Sequence, residues 1–410
     1  MGASMSEEKL SVNIGSKLVR YLEQYGEIEL EDVAIRLEHL ELQVLPGAPP
    51  KAVIAAPPAV PAKPKPTKLI EVEFKPPVYE YVLPIQEVTI GATRADGGTR
   101  AYSLTIGGEK APPFYLFESK PPHKPIIACD VFDWKVPLAK AVKQHVREVY
   151  GDPVAWAKLA VEKFGAEAIT LHLVSVDPLI KDTPPKEAAK TVEDVLQAVD
   201  VPMIVGGCGD PKKDTEVFEK VAEVAEGERI VINSITKEML EYDTKRNVDT
   251  IVKHNHVTIA FTPMDMNLAR ELNRRLTSEG VPRSSIIMDT TTAALGYGIE
   301  YAFTIMQRSR LAGLMGDEEL AFPISSGTTN AWAAREAWMK QLDAVWGPRE
   351  LRGPIWETIT ALTLLIAGVD LFMMMHPAAM KTVKDVIDEL MQGMGRAKPE
   401  LIENWASAKL

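Results

Sequence analysis

The chain has 410 residues, 46% of them hydrophobic and 25% charged, proportions that fit a globular protein and exclude a disordered or collagen-like one. A formal net charge of −11, with no basic stripe to offset it, excludes a general nucleic-acid binder. Two cysteines, Cys129 and Cys208, are too few for a disulfide framework or for a four-thiolate zinc or iron–sulfur site, and read as thiols of a reducing cytoplasm.

Residues 6–9 are polar where a secretory signal needs an apolar core, so a cytoplasmic location is expected. Met1-Gly2 followed by Ser6 matches an acylation pattern only formally, with no polybasic support beside it. Ile14, Leu18 and Leu22 recur at helical spacing and Gly26 closes the run, which makes residues 1–45 a small docking module. So short a unit buries little surface alone. Eight prolines between Pro46 and Pro66 mark residues 46–68 as a linker, semi-rigid because proline favours the extended polyproline II form. Residues 69–120 turn to a β pattern at 72–74, 88–90 and 102–106, the last two across Asp96-Gly97-Gly98, and read as a β-hairpin cap.

Residues 121–395 then repeat one unit. Eight short apolar runs, at 126–132, 169–174, 203–207, 230–235, 257–262, 286–291, 322–326 and 370–376, alternate with helical stretches. Eight strand-plus-helix units in about 250 residues predict an α/β fold, a (β/α)8 TIM barrel with its hairpin and small N-terminal extension. Asp152-Pro153 and Thr183-Pro184 each predict a cap and a first-turn proline. Leu268, Leu272 and Leu276 mark a buried stripe closed by Gly280. The most apolar stretch, residues 358–369, is too short to span a bilayer, so no membrane span is expected. It predicts a barrel helix with an apolar outer face suited to a protein partner. Residues 396–410 form a tail.

In this fold, chemistry sits at the carboxyl ends of the strands. The residues delivered there are Asp130 and Asp133, His172 and Asp177, 206–210, Asn233 and Ser234, Thr262 and Asp265, 289–292, 325–329 and His376. Hydroxyls, amides and bare glycine dominate, and no lysine or arginine comes before the outer loops. Such a set suits a large neutral ligand rich in hydrogen-bonding groups better than a phosphate. Asp130 and Asp289 could equally cap a helix or brace a loop, and His172 could be a satisfied core histidine. His254 and His256 lie at the wrong end of the barrel for a metal site. Gly206-Gly207-Cys208-Gly209 lacks the third glycine of a dinucleotide fingerprint. Met373, Met374 and Met375 are explained by strand packing. Two hydroxyl clusters, Thr290-Thr291-Thr292 and Ser325-Ser326-Gly327-Thr328-Thr329, exceed what helix capping needs.

Several of these runs together resemble one family. Residues 181–189, 205–214, Ile232-Asn233-Ser234, Thr262-Pro263, 289–300, 326–332 and 334–338 are similar to the delta subunit of acetyl-CoA decarbonylase/synthase, the small subunit of the corrinoid iron–sulfur protein. The resemblance covers roughly residues 84–390, and the N-terminal extension resembles the archaeal form. It implies a role in one-carbon metabolism as half of a methyl carrier. The large (gamma) subunit of a heterodimer would supply the iron–sulfur cluster and the corrinoid (cobamide), with acetyl-CoA synthase (beta) and CO dehydrogenase subunits in the larger assembly. Cobalt takes a methyl group from a methyl-tetrahydropterin and passes it to the nickel site of the synthase. This chain lacks the four cysteines of the cluster and the D-x-H-x-x-G corrinoid motif, so the partner must bring both.

The family role matches the residue chemistry, because a corrin ring is fringed with carboxamides. Asn233, Thr262, Asp289, Thr290, Thr291, Ser325, Ser326, Gly327, Thr328 and His376 are the expected cofactor-binding residues, with no catalytic or metal-ligating residue among them and no acid–base step of the chain's own. Two other readings stand beside it: a self-sufficient pterin-binding methyltransferase barrel, with Asp289 and Asn233 on the pterin ring, and a purely structural subunit. The helix near residues 14–22 would dock on the synthase or the dehydrogenase.

Overall fold

A computed structural model describes residues 77–392, apart from 117 and 341. The predicted docking module, the proline linker, the 72–74 strand and the tail lie outside the described residues.

Eight parallel strands close into a barrel in the order β10-β3-β4-β5-β6-β7-β8-β9. They are β3 Ile126–Phe132, β4 Ala168–His172, β5 Met203–Gly206, β6 Val231–Ile235, β7 Val257–Phe261, β8 Ile286–Asp289, β9 Ile324–Ser326 and β10 Val369–Met374. All eight fall within a residue or two of the sequence expectation. Strands covered by helices outside and side chains inside must be apolar on both faces, and these are. Residues of one parity, such as Ile127, Cys129, Ile169, Val205 and Met288, pack under the helices. Those of the other parity, such as Ile126, Ala128, Ile204, Val231 and Ile287, fill the barrel.

The hairpin is β1 Val88–Ile90 paired antiparallel with β2 Leu104–Ile106. Val88, Ile90 and Ile106 are buried with the interior strand residues, so the hairpin plugs the amino-terminal end of the barrel. Burying each of these side chains stabilises the closure by about 1.5–3 kcal/mol. Three arginines fasten the plug. Arg100 pairs with Glu228 at 2.7 Å, the Arg229 guanidinium donates to Thr89 O at 2.8 Å, and Arg310 pairs with Glu109 at 3.1 Å and also with Asp370.

Asp152 caps the helix Pro153–Glu162 through Ala155 N–H, as expected. At the next helix the expectation is one residue early. The helix Pro185–Ala198 has Pro184 at its cap and Pro185 in the first turn, while Thr183 is buried and caps nothing. Among the described residues no helix is long and apolar enough to cross a membrane.

Candidate functional site

Each strand turns an inward residue toward its carboxyl end. The set is Asp130, His172, Gly206, Asn233, Phe261, Asp289, Ser325 and Met373, one from each of the eight strands. All but Ser325 line a cavity of about 480 Å³. Loop residues Thr292, Gly327, Thr329, Asn330 and Cys208 are also in its wall, and among the described residues no lysine or arginine lines it.

The hydroxyl runs divide by strand parity. Ser325 points inward but lies beneath the floor, where its hydroxyl donates to Asp289 Oδ2 at 3.1 Å. Ser326, Thr292 and Thr328 form a buried hydroxyl chain with 2.9 Å links, and of these only Thr292 reaches the wall. Thr291 donates its hydroxyl to Thr262 O at 2.9 Å and its N–H to Asp289 Oδ1 at 2.8 Å. Its φ of 72° is costly for a β-branched residue, so this corner is held by its hydrogen bonds. The buried hydroxyls of Thr262 and Thr290 have no hydrogen-bond partner among the described residues. Thus Asn233, Asp289 and Gly327 of the expected set meet on the wall. Thr262, Thr290, Thr291, Ser325, Ser326 and Thr328 stand behind it as its frame.

His376 is buried outside the crater. It stacks on Trp332 with ring centroids 5.9 Å apart, meets His145 edge-on at 4.9 Å, and its Nδ1 accepts from Ala378 N–H at 3.2 Å. Burial, with the neighbouring His145, pushes its pKa down to about 3, so the ring is neutral.

The floor carries more ionisable chemistry than a lining of alcohols would. Asp130 is 1% exposed and accepts from the Thr329 hydroxyl through Oδ2. Its Oδ1 lies 3.2 Å from His172 Nε2 but out of line for a hydrogen bond, so both atoms remain open. The His172 ring stacks on Phe132 at 5.0 Å. Burial raises the Asp289 pKa to about 6, against the lowering effect of the Thr291 N–H and the Ser325 hydroxyl. Behind the floor, Glu357 is pushed up to about 8 by burial, although the amides of Met375 and His376 donate to it at 2.6 and 3.0 Å.

The glycine loop after β5 holds a carboxylate of its own chain. Asp214 accepts from the Cys208 and Gly209 N–H groups, each at 2.8 Å, and from the Cys208 thiol at 3.2 Å. A side chain at Gly207 would lie 2.4 Å from that carboxyl. These amides are therefore engaged and do not form a phosphate cradle. Burial, with Asp214 adding to it, pushes the Cys208 thiol up to about 12 and keeps it uncharged.

Apolar side chains are exposed on the mouth side, and Lys181 Nζ lies 4.7 Å over the Trp134 ring there. Trp134, Leu179, Ile180, Phe261, Tyr297 and Trp346 are exposed, and all stand at the strand ends or in the loops on the mouth side. Among the described residues no group of three or more His, Cys, Asp or Glu side chains is placed to hold a metal ion.

Residues 87–345 match the family CdhD, CO dehydrogenase/acetyl-CoA synthase delta subunit. The acetyl-CoA decarbonylase/synthase complex subunit delta of Archaeoglobus fulgidus is 54% identical over 356 residues, covering 85% of this chain and 77% of its own. The chain belongs to the CO dehydrogenase/acetyl-CoA synthase delta subunit family. Subunit delta 1 of the same complex from Methanosarcina thermophila is 53% identical over 355 residues, covering 85% of this chain and 80% of its own. The Methanopyrus kandleri subunit delta is 45% identical over 408 residues, covering 95% of this chain and 97% of its own. Among solved structures, dihydropteroate synthase from Stenotrophomonas maltophilia aligns with a TM-score of 0.47 and 13% identity, over 67% of this chain and 95% of that one.

Wall residues outside the hydroxyl runs include His172, Phe132, Phe261, Asn330 and Met373, and Thr292, Gly327 and Thr329 are the members of those runs that reach the wall. Alternation along each strand was the available signal. Counting inward residues at period two from the apolar interior reaches His172, Phe261 and Met373 directly.

Proposed function

We propose that this chain is the delta subunit of an acetyl-CoA decarbonylase/synthase complex and that its mouth face covers a corrinoid carried by the large corrinoid iron–sulfur subunit. The observation that carries this reading is a polar well with no lysine or arginine among its described lining residues, on the face whose loops expose aromatic and aliphatic side chains. Apolar side chains beside a polar centre are suited to closing over a partner that presents a disc with a polar fringe.

The donor and acceptor set fits such a group. Corrin carboxamides offer N–H donors, and the Asn233 and Asn330 carboxamides stand on the wall to meet them. A well of about 480 Å³ is small for a whole corrin, so the disc rests across the mouth and only its fringe enters. When bound, the cobalt supplies the nucleophile and carrier for the methyl group. This chain's part is to exclude water from the covered face and to hold the fringe. Cys208, uncharged at neutral pH, offers no competing anion there.

The test is reconstitution of the pair. The chain alone should carry no corrinoid absorption and the pair should carry it. Trp134→Glu together with Trp346→Glu should lower methyl transfer from methyl-tetrahydropterin at least about tenfold by putting charge on the covering face. Unchanged transfer by that variant leaves the mouth idle and the reading fails.

A second reading is favoured by one observation: Asn233 and Asp289 share one cavity floor. A pterin ring presents N–H donors to such a pair, and the chain alone would then bind methyl-tetrahydropterin. Calorimetric titration of the isolated chain separates the two readings, since the covering role predicts no heat.

A further inference from the structure

One nitrogen of His172 is held from behind, and the other faces the well. Nε2 is buried and lies 3.2 Å from Asp130 Oδ1, in a contact too bent for a hydrogen bond. A lone pair on Nε2 would be repelled by that carboxylate oxygen, so Nε2 carries the ring proton. The carboxylate is itself fixed, because its Oδ2 accepts from the Thr329 hydroxyl. Phe132, stacked at 5.0 Å and 19°, fixes the plane of the ring. Asp130 is thus a positioning residue that leaves the lone pair on Nδ1. The His172 side chain is 23% exposed although Nε2 is buried, and Nδ1 has no hydrogen-bond partner among the described residues.

Gly206 leaves the space in front of Nδ1 bare. A carbon built on Gly206 would stand 3.0 Å from His172 Nδ1 and 3.7 Å from Asn233 Nδ2. One point on the wall of the well is therefore within reach of a fixed acceptor and of an amide donor. Asn233 Nδ2 carries two hydrogens, and its contact with Met373 Sδ at 3.5 Å uses one of them. An acceptor beside a donor is the complement of a primary carboxamide, which offers an N–H and a C=O from one planar group. A carboxylate or phosphate would set its own lone pairs against that of Nδ1. We propose that His172 Nδ1 and Asn233 Nδ2 form a subsite for one primary carboxamide, with Asp130 fixing the His172 tautomer. The subsite rests on the reading that the mouth closes over a carboxamide-fringed ring, and it names where one fringe amide enters.

Nitrogen-15 resonance of the full chain, labelled at histidine and assigned with His172→Asn, reads the tautomer without any partner. At about pH 8, above the ordinary imidazole range, the proton should sit on Nε2. Asp130→Asn should shift it toward Nδ1, because the Thr329 hydroxyl keeps the amide oxygen and turns the amide N–H toward Nε2. A proton on Nδ1 in the unaltered chain overturns the subsite. Binding is read as the dissociation constant of the reconstituted pair. His172→Leu and Asp130→Asn should each raise it about three- to tenfold, the size of one lost hydrogen bond. His172→Asn sets an amide oxygen near the Nδ1 position and should stay within about twofold. Equal weakening by His172→Leu and His172→Asn, or no weakening by either, overturns the subsite. If the pair still carries its corrinoid band, the covering role stands. An unaltered pair without that band overturns the covering role, and the subsite with it.

Discussion

Gly206 and His172 share one space: a side-chain carbon on Gly206 would lie 3.0 Å from His172 Nδ1. The imidazole occupies the volume that any other residue at the end of β5 would fill. The same ring is bounded by Phe132 on one face and by Asp130 Oδ1 at 3.2 Å from Nε2. Gly206→Ala should therefore displace His172 and narrow the well. The expected cost is roughly 1–3 kcal/mol for overpacking, read as a lower urea midpoint with unchanged slope. Methyl transfer by the reconstituted pair should fall with it.

Asp289 gives the fold a pH dependence of known sign. Its pKa is raised from 3.8 to about 6 in the folded chain, mainly by burial. Between those values the folded chain holds the proton more tightly than the unfolded one. Its contribution to stability is thus full below about pH 4 and is lost as pH rises through 6. At about 1.4 kcal/mol per pKa unit this is roughly 3 kcal/mol. Asp289→Asn should remove that decline. The check is the difference between the two proteins in urea midpoint at pH 4 and at pH 7.

Glu357 is predicted to be largely protonated at neutral pH, since burial raises its pKa to about 8. Glu357→Gln keeps one acceptor oxygen, and its Nε2 donates only, so one of the Met375 and His376 amides loses its partner and a loss of about 1–3 kcal/mol at pH 7 is expected. Glu357→Ala strands both amides and opens a cavity, so a loss of about 2–4 kcal/mol is expected.

Arg310 fastens the hairpin plug to the barrel through Glu109 and Asp370 and is 2% exposed. Arg310→Met leaves two carboxylates buried without a cation. A destabilisation of about 3–5 kcal/mol follows, as for other broken buried pairs. Thermal unfolding measures it.

Much of this architecture was legible in the chain because parallel strands sheathed on both faces produce continuous apolar runs. Those runs located all eight barrel strands. The crater was legible only in part. Runs such as Ser325-Ser326 and Asp289-Thr290 place neighbours on opposite sides of a strand, so a run of hydroxyls cannot all face one ligand. Ser326 and Thr328 are bonded to one another, and His376 is packed against Trp332. Arg100, Arg229 and Arg310 escaped notice because their partners lie far off in sequence, as with Arg310 and Glu109. The Asp214 carboxylate that fills the glycine loop escaped for another reason: the loop motif says which amides are free to donate, but not what accepts from them.

The covering role is tested most directly by a distance. Spin labels on Leu179→Cys, at the mouth, and on Tyr102→Cys, by the plug, report through pulsed electron resonance to the paramagnetic Co(II) of the reconstituted pair. Both positions are exposed, and the native thiols Cys129 and Cys208 are held protonated by burial. The account predicts a short distance from position 179 and a much longer one from position 102. A cobalt nearer to position 102, or equally far from both, would contradict it.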